Sequence, residues 1–99
     1  MIVVLTAEAE SDLESIGDYV AQDNPGRALT FVRDLREQCE TLADFPNRFP
    51  LVPRYERQGV RRRVFGNYAV FYRTEASRVV VLHILHGARD YEGILPEEF

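Results

Sequence analysis

The feature that most constrains the fold is the stretch from Gly59 to Asp90, in which apolar runs alternate with turn signals. Gly66-Asn67 is a pair that supplies positive φ values to a tight hairpin turn, and Glu75-Ala76-Ser77 predicts a slightly longer loop. Arginines and histidines interrupt the apolar runs, so any function has to account for them. The stretch predicts three strands in a meander, which are Val60 to Phe65, Tyr68 to Thr74 and Arg78 to His86.

The residues before the meander predict one short strand and two helices. Ile2 to Leu5 is the strand, and Thr6 is suited to cap the first helix. Asn24-Pro25 breaks that helix and begins the second, with the asparagine as cap and the proline at the first helical position. The first helix has an apolar stripe at Ala9, Leu13, Ile16 and Val20. The second has one at Ala28, Phe31, Val32, Leu35, Cys39 and Leu42.

The order β-α-α-β-β-β predicts an α+β fold, with an antiparallel helical hairpin packed on one face of a mainly antiparallel four-stranded sheet. We expect residues 1–99 to form a single domain. Following the chain direction, we expect the first strand to pair antiparallel with the last. Prolines keep residues 46–58 from pairing as a central strand. In the last strand we expect Val80, Leu82 and Ile84 to face the helices, and Val79, Val81, His83 and Leu85 to form a surface that a partner covers.

The basic residues are unusual in kind and in placement. All 12 are arginine, and the net charge is −4. Residues 1–50 carry a balance of −6 and residues 51–99 a balance of +2, with five arginines between Arg54 and Arg63. An acidic chain with one arginine-dense strand is not a general or sequence-specific nucleic-acid binder. It is better suited to one localised anionic partner, because the guanidinium fork grips carboxylate or phosphate bidentately.

Several classes of protein are excluded. One cysteine allows no disulfide framework, so we expect a cytoplasmic location and a buried Cys39 thiol in the core. The apolar run at residues 1–5 is far too short for a membrane span. Two histidines and one distant cysteine make no zinc site, and the chain has no glycine-rich phosphate loop. We therefore expect no metal and no cofactor.

A combination of short motifs indicates a resemblance to a known family. They are Asp12-Leu13 with Ile16 and Tyr19; Asn24-Pro25 with Ala28, Phe31 and Leu35; Leu42 with Pro46; Gly59-Val60-Arg61-Arg62; Tyr68 to Arg73; and His83 to Asp90. Together they cover nearly the whole chain, which resembles the toxins of the RelE/ParE superfamily. The "Phe-Tyr-Arg" strand and the "Leu-His-Gly-Ala-Arg-Asp" ending are most similar to the ParE branch.

The resemblance implies a bacterial type II toxin of the kind involved in plasmid stabilization. A small ParD-like antitoxin would neutralise it by wrapping around it in a hetero-oligomeric complex. We expect an amphipathic segment of the antitoxin to dock along the helical hairpin and the free edge or open face of the sheet. ParE-type members are known as poisons of DNA gyrase, so our first interpretation is a toxin that binds gyrase and catalyses no reaction. The alternative is a RelE-like, ribosome-dependent mRNA endoribonuclease. A third interpretation is a non-toxic member that only binds its antitoxin.

The candidate site residues follow from these interpretations. An antitoxin would meet the partner-binding set with acidic side chains; the set is Arg54, Arg57, Arg61, Arg62, Arg63, Arg73, His83 and Arg89. A nuclease needs a base, an acid and cations around one phosphate. Arg61, Arg63 and Arg73 would clamp that phosphate, with His83 or His86 as base or acid and Tyr91 as proton donor or stacking group. The absence of lysine and the acidic residues after Gly87 oppose this second assignment.

Overall fold

A computed structural model describes residues 1–87 and 91–95. The described elements follow the predicted order β-α-α-β-β-β, and the α+β fold class is confirmed. They are β1 (Ile2–Leu5), α1 (Ala7–Asp23), α2 (Pro25–Glu40), a short 3₁₀ turn (Thr41–Ala43), β2 (Arg61–Phe65), β3 (Tyr68–Glu75) and β4 (Arg78–His86). None of the helices in this part of the chain has the length and apolar character needed to cross a membrane.

Both helices begin at the predicted caps. The Ala9 backbone N–H donates to Thr6 Oγ1 at 3.1 Å, and the Arg27 backbone N–H donates to Asn24 Oδ1 at 3.0 Å. Each cap satisfies a backbone donor that has no partner inside its helix. Asn24 also ends α1, because its own N–H donates to the Val20 carbonyl at 2.9 Å. One residue therefore joins the two helices into a tight hairpin.

The sheet has the strand order β1-β4-β3-β2, and β1 runs parallel to β4. The expectation that these two strands pair antiparallel was wrong. The helices return the chain to the end of the sheet at which β1 finishes. Residues 44–60 then cross to the opposite end with only an isolated bridge between Leu51 and Arg61, so that β2 starts where β1 starts. This crossing reverses the predicted direction of β2, β3 and β4, whose own pairings are antiparallel as expected.

Both hairpins of the meander have two-residue loops. Phe65 pairs with Tyr68 across Gly66-Asn67, and Gly66 alone of these two has a positive φ, of 59°. A glycine with positive φ at the first central position is typical of a type II′ turn. The longer loop expected at residues 75–77 was wrong, because Glu75 pairs directly with Arg78. Ala76 takes the positive φ, 52°, that this tight turn needs.

Apolar side chains form a core on each face of the sheet. The core under the helices includes Leu13, Leu35, Cys39, Leu42, Val70 and Tyr72. The core on the second face includes Val52, Tyr55, Val60, Phe71, Leu82 and Leu95. The chain's own residues 52–60 and 91–95 thus cover much of the face that we expected to be left for a partner. The predicted buried thiol at Cys39 is confirmed.

A bulge in β4 changes which residues face the helices. Phe71 pairs with His83 but Tyr72 pairs with Val81, so Leu82 is an extra residue on β4. Before the bulge Val79 and Val81 lie in the core under the helices, and after it Ile84 does. The prediction was right for Ile84 and Leu85 but wrong for residues 79–82, because it assumed unbroken alternation.

Candidate partner-binding site

Two arginines of edge strand β2 bind neutral oxygens on the helix-facing side of the sheet. Nη1 of Arg61 donates to the backbone carbonyls of Asn47 and Phe49, at 3.2 and 2.7 Å. Nη1 of Arg63 donates to the Gln38 carbonyl at 3.2 Å and to Thr41 Oγ1 at 2.6 Å. These bonds tie the strand to the end of α2 and to the loop that follows it. The two guanidinium charges therefore have structural roles, and no carboxylate of residues 1–87 and 91–95 forms a salt bridge with either.

The other arginines of the predicted set lie on the second face or beyond it. Arg62 is half-buried and alternates with its neighbours toward that face, and Arg57 is exposed. Arg54 pairs with Glu92 at 3.1 Å, although its side chain remains 75% exposed. Nε of Arg73 donates to Glu75 Oε2 at 2.8 Å. Arg89 lies outside the described residues.

The two histidines occupy different environments on β4. Nδ1 of His83 lies 2.8 Å from Asp12 Oδ2 on α1, in a largely buried contact. His86 is exposed, and its ring meets the edge of the Tyr68 ring at a centroid distance of 5.6 Å. Tyr91 instead packs on the second face, 5.3 Å from the Phe71 ring centroid.

The six residues of the alternative nuclease assignment are therefore divided. Arg61 and Arg63 share the helix-facing side of β2, whereas Arg73 and Tyr91 lie toward the second face. The histidines are on β4, two strands from β2, a separation of about 10 Å between backbones. The register does bring Arg62, Phe71 and His83 into one row across three strands. Nowhere in residues 1–87 and 91–95 do three acidic, histidine or cysteine side chains gather in a way that could hold a metal.

Four arginines lie on or next to edge strand β2, and we call them the arginine patch: Arg48, Arg61, Arg62 and Arg63. Arg61 and Arg63 are on the helix-facing side of the strand and Arg62 is on the other side. Within the described part of the chain, none of them has a carboxylate oxygen within 4.0 Å. By contrast Arg27, Arg36, Arg54, Arg73 and Arg78 all have acidic neighbours. Among the described residues, no carboxylate therefore offsets the positive charge of the patch through a salt bridge. Arg48 was absent from the predicted set, because it lies in the loop before the arginine-dense stretch.

A groove of about 740 Å³ runs between α1 and α2 on their outer side. Its apolar lining includes Leu13, Gly17, Ala28, Leu29 and Val32, and Leu29 is 80% exposed. Gly17 keeps the helices close, since a Cβ there would lie only 3.1 Å from Val32 Cγ2. The helix stripes were predicted to be core, and an antitoxin segment was predicted to dock along the helical hairpin, without naming the residues that form this groove. The small residues at positions 17, 21 and 28 are the signal that could have indicated it.

Comparison with known proteins agrees with this fold. Residues 3–91 match the family described as the ParE toxin of the type II toxin–antitoxin system parDE. Toxin RelE2 of Caulobacter vibrioides is 32% identical over 87 residues, which are 88% of this chain and 96% of that protein. The chain belongs to the ParE family of toxins of type II toxin–antitoxin systems.

Two solved structures share the architecture. One is described as the chromosomal ParDE toxin–antitoxin system from P. aeruginosa; its TM-score is 0.74 at 26% identity, covering 87% of this chain and 95% of that one. The other is the toxin–antitoxin complex RelBE2 from Mycobacterium tuberculosis, with a TM-score of 0.64 at 25% identity, covering 86% of this chain and 95% of that one. The sequence-based assignment to the RelE/ParE superfamily and its ParE branch is therefore confirmed.

Proposed function

We propose that this toxin arrests growth by binding DNA gyrase without catalysing a reaction, and that a ParD-like antitoxin neutralises it. The observation that supports a binding role is the separation of the ionisable groups described above. Hydrolysis or transesterification of RNA needs base, acid and cations at one phosphate. Here Arg61 binds the loop after α2 and Arg63 binds the end of α2. His83 lies on β4, two strands from these arginines, and is held by Asp12 of α1.

The alternative is a RelE-like, ribosome-dependent mRNA endoribonuclease. Support for this nuclease hypothesis comes from one relative named RelE2 and from one structural neighbour described as a RelBE2 complex. In that case Arg61, Arg63 and Arg73 would bind phosphate, and His83, His86 or Tyr91 would transfer protons. Binding of the ribosome would have to release Arg63 from Gln38 and Thr41, or the phosphate would have to approach from the side they leave open.

The test is a pair of assays run on the same purified toxin. We expect inhibition of gyrase supercoiling or accumulation of gyrase–DNA cleavage complexes, with no cuts in a primer-extension assay on translating ribosomes. Codon-dependent mRNA cuts with normal supercoiling would establish the nuclease instead. No effect in either assay, and no growth defect on expression without antitoxin, would leave a protein that only binds an antitoxin.

For the antitoxin we propose two contact surfaces, the groove between the helices and the arginine patch. The groove suits the apolar stripe of a helix, and the patch suits acidic side chains. The two structural neighbours are described as toxin–antitoxin systems, which supports a protein partner of this kind. Arg54, Arg57, Arg73, His83 and Arg89 complete the proposed contact set. Among these Arg54 and Arg73 already have acidic neighbours, so we expect smaller contributions from them.

The patch is tested by the salt dependence of complex dissociation. Arg62→Gln removes one charge without breaking the bonds that Arg61 and Arg63 make, so it is the clearest variant. Arg78→Gln is its matched control, because Arg78 is exposed and lies at the start of β4. We expect Arg62→Gln to speed dissociation and flatten its salt dependence relative to the control. Equal behaviour of both variants would remove Arg62 from the interface.

A further inference from the structure

A small pocket of about 280 Å³ lies where the end of α2 meets the following loop and β2. Its lining includes Thr41, Asp44, Phe45, Arg48 and Arg63. We call it the loop pocket. It lies on the helix-facing side of the sheet, and the groove between the helices does not include these residues. The size suits one short side chain, not a nucleotide or a cofactor.

Arg63 lines this pocket and has more N–H donors than its hydrogen bonds within the described residues use. A guanidinium group has five N–H groups. Two on Nη1 bind the Gln38 carbonyl and Thr41 Oγ1, and one on Nη2 binds Gln38 Oε1. Within the described residues this leaves Nε–H and one N–H on Nη2. Two neighbouring donors of this kind match the two oxygens of a carboxylate.

The Phe49 ring holds two cations beside the pocket. Cζ of Arg63 lies 4.9 Å from the ring centroid and Cζ of Arg48 lies 5.4 Å from it. Both distances are within the range of a cation–π attraction. Asp44 also lines the pocket and opposes an incoming anion, but one acid against two arginines leaves a positive balance. The stacking therefore places charge at the pocket before any ligand arrives.

An exposed aromatic ring stands next to these charges. Phe45 is 69% exposed and lines both the loop pocket and a second recess of about 530 Å³ formed by residues 44–48. An apolar ring beside a cationic pocket favours a peptide that carries an apolar and an acidic side chain close together. It does not favour a nucleic-acid backbone, which repeats its negative charge at every nucleotide.

We propose that the loop pocket binds one glutamate or aspartate side chain of the antitoxin, while a neighbouring apolar side chain of the same segment covers Phe45. This inference rests on the proposed function, since it names a contact of the antitoxin. It assigns Arg48 and Phe45 to the interface, neither of which belongs to the arginine-dense strand. Arg63 would then serve both the fold and the partner.

A defined probe tests the pocket without the antitoxin. N-acetyl-leucyl-glutamate amide is titrated into ¹⁵N-labelled toxin and followed by NMR, with the glutamine peptide as the uncharged control. We expect shifts confined to residues 41–49 and the Arg63 side chain for the glutamate peptide, and much smaller ones for glutamine. Arg48→Gln should weaken binding roughly three- to tenfold, and Asp44→Asn should tighten it. Arg78→Gln should leave it unchanged.

Three results would overturn the proposal: equal shifts for both peptides, no shifts at the highest soluble concentration, or stronger perturbation by inorganic phosphate or a short RNA. Circular dichroism of Arg48→Gln checks that the variant is folded. The same variant is then compared with Arg78→Gln in dissociation of the antitoxin complex, where we expect faster release. Growth arrest and gyrase inhibition are measured without the antitoxin, so a failure here is distinguishable from a failure of the proposed function.

Discussion

Nδ1 of His83 lies 2.8 Å from Oδ2 of Asp12, and the same carboxylate oxygen accepts the backbone N–H of Ile84 at 2.9 Å. Strand β1 pairs with β4 only as far as Val81, so the backbone groups farther along that edge of β4 need other hydrogen-bond partners. Thr6 donates its N–H to the Val81 carbonyl and its hydroxyl to the Leu82 carbonyl, each at 3.0 Å. The start of α1 thus continues the sheet edge past the end of β1 and holds the bulge in β4.

Replacing Asp12 should therefore cost more than replacing a neighbouring acid. Asp12→Ala leaves the Ile84 N–H without its acceptor and His83 without its partner, and we expect a loss of about 1–3 kcal/mol in the free energy of unfolding. Urea unfolding measures it as a lower midpoint with an unchanged slope. Glu14→Ala, an exposed position on the same helix, is the control and should change stability by less than about 0.5 kcal/mol. Similar losses for both variants would contradict the role given to Asp12.

A second hydrogen bond fixes the loop that carries Arg48. Oη of Tyr72 is fully buried and donates to the Pro46 carbonyl at 2.6 Å. Tyr72→Phe removes the donor and leaves that carbonyl unsatisfied, so we expect a loss of about 1 kcal/mol. Amide exchange should also accelerate at Arg48, whose N–H donates to Phe45 within the same loop. Tyr19→Phe, at a position 64% exposed, should change neither quantity.

The elements that the sequence predicted well are those with local signals. The caps at Thr6 and Asn24, the two helix stripes and the meander all follow from residues close together in the chain. The direction of β1 relative to β4 has no such signal, because it depends on how residues 44–60 cross the sheet. The bulge at Leu82 also has no local sequence signal, since it lies in an unbroken run of apolar residues.

The candidate site divides in the same way. Strand alternation alone places Arg61 and Arg63 on one face of β2 and Arg62 on the other, so this division could be predicted from the sequence. The hydrogen-bond partners of the arginines could not be predicted, because Arg61 binds backbone carbonyls and any residue type supplies those. The bond between His83 and Asp12 joins residues 71 positions apart through a bulge, which no local pattern predicts. Arg48 was missed because its place in the patch depends on stacking against Phe49.

The hairpin turn at Gly66 gives a prediction that is free of packing effects. Gly66 has φ of 59°, and a Cβ built on it meets no atom within 4 Å. Gly66→Ala should therefore lose about 1–2 kcal/mol through backbone strain alone. A Cβ at Gly93 also meets no atom within 4 Å, but its φ lies outside the left-handed region. Gly93→Ala is thus the matched control, and thermal unfolding of the two variants should show a lower Tm for Gly66→Ala only.

The buried thiol of Cys39 predicts how stability changes at alkaline pH. Burial raises the pKa of this thiol from 9.0 to about 11, and the opposing effects of Arg36 and Arg63 are smaller. Between these values the unfolded chain has lost a proton that the folded chain keeps. The thiol's contribution is thus complete below pH 9 and is lost as pH rises toward 11. We expect the free energy of unfolding to fall by up to about 1.4 kcal/mol per pH unit in this window.

A cysteine variant separates this contribution from that of the buried tyrosines. Burial also raises the pKa of Tyr72 above its ordinary value of 10.0, so the tyrosine adds a decline of its own only at higher pH. Cys39→Ala should be less stable than the parent protein at neutral pH, because it leaves a small cavity. It should nevertheless have a flatter stability profile between pH 9 and 10, measured by urea unfolding at each pH. If parent and variant decline with the same slope there, the thiol does not titrate as its burial requires.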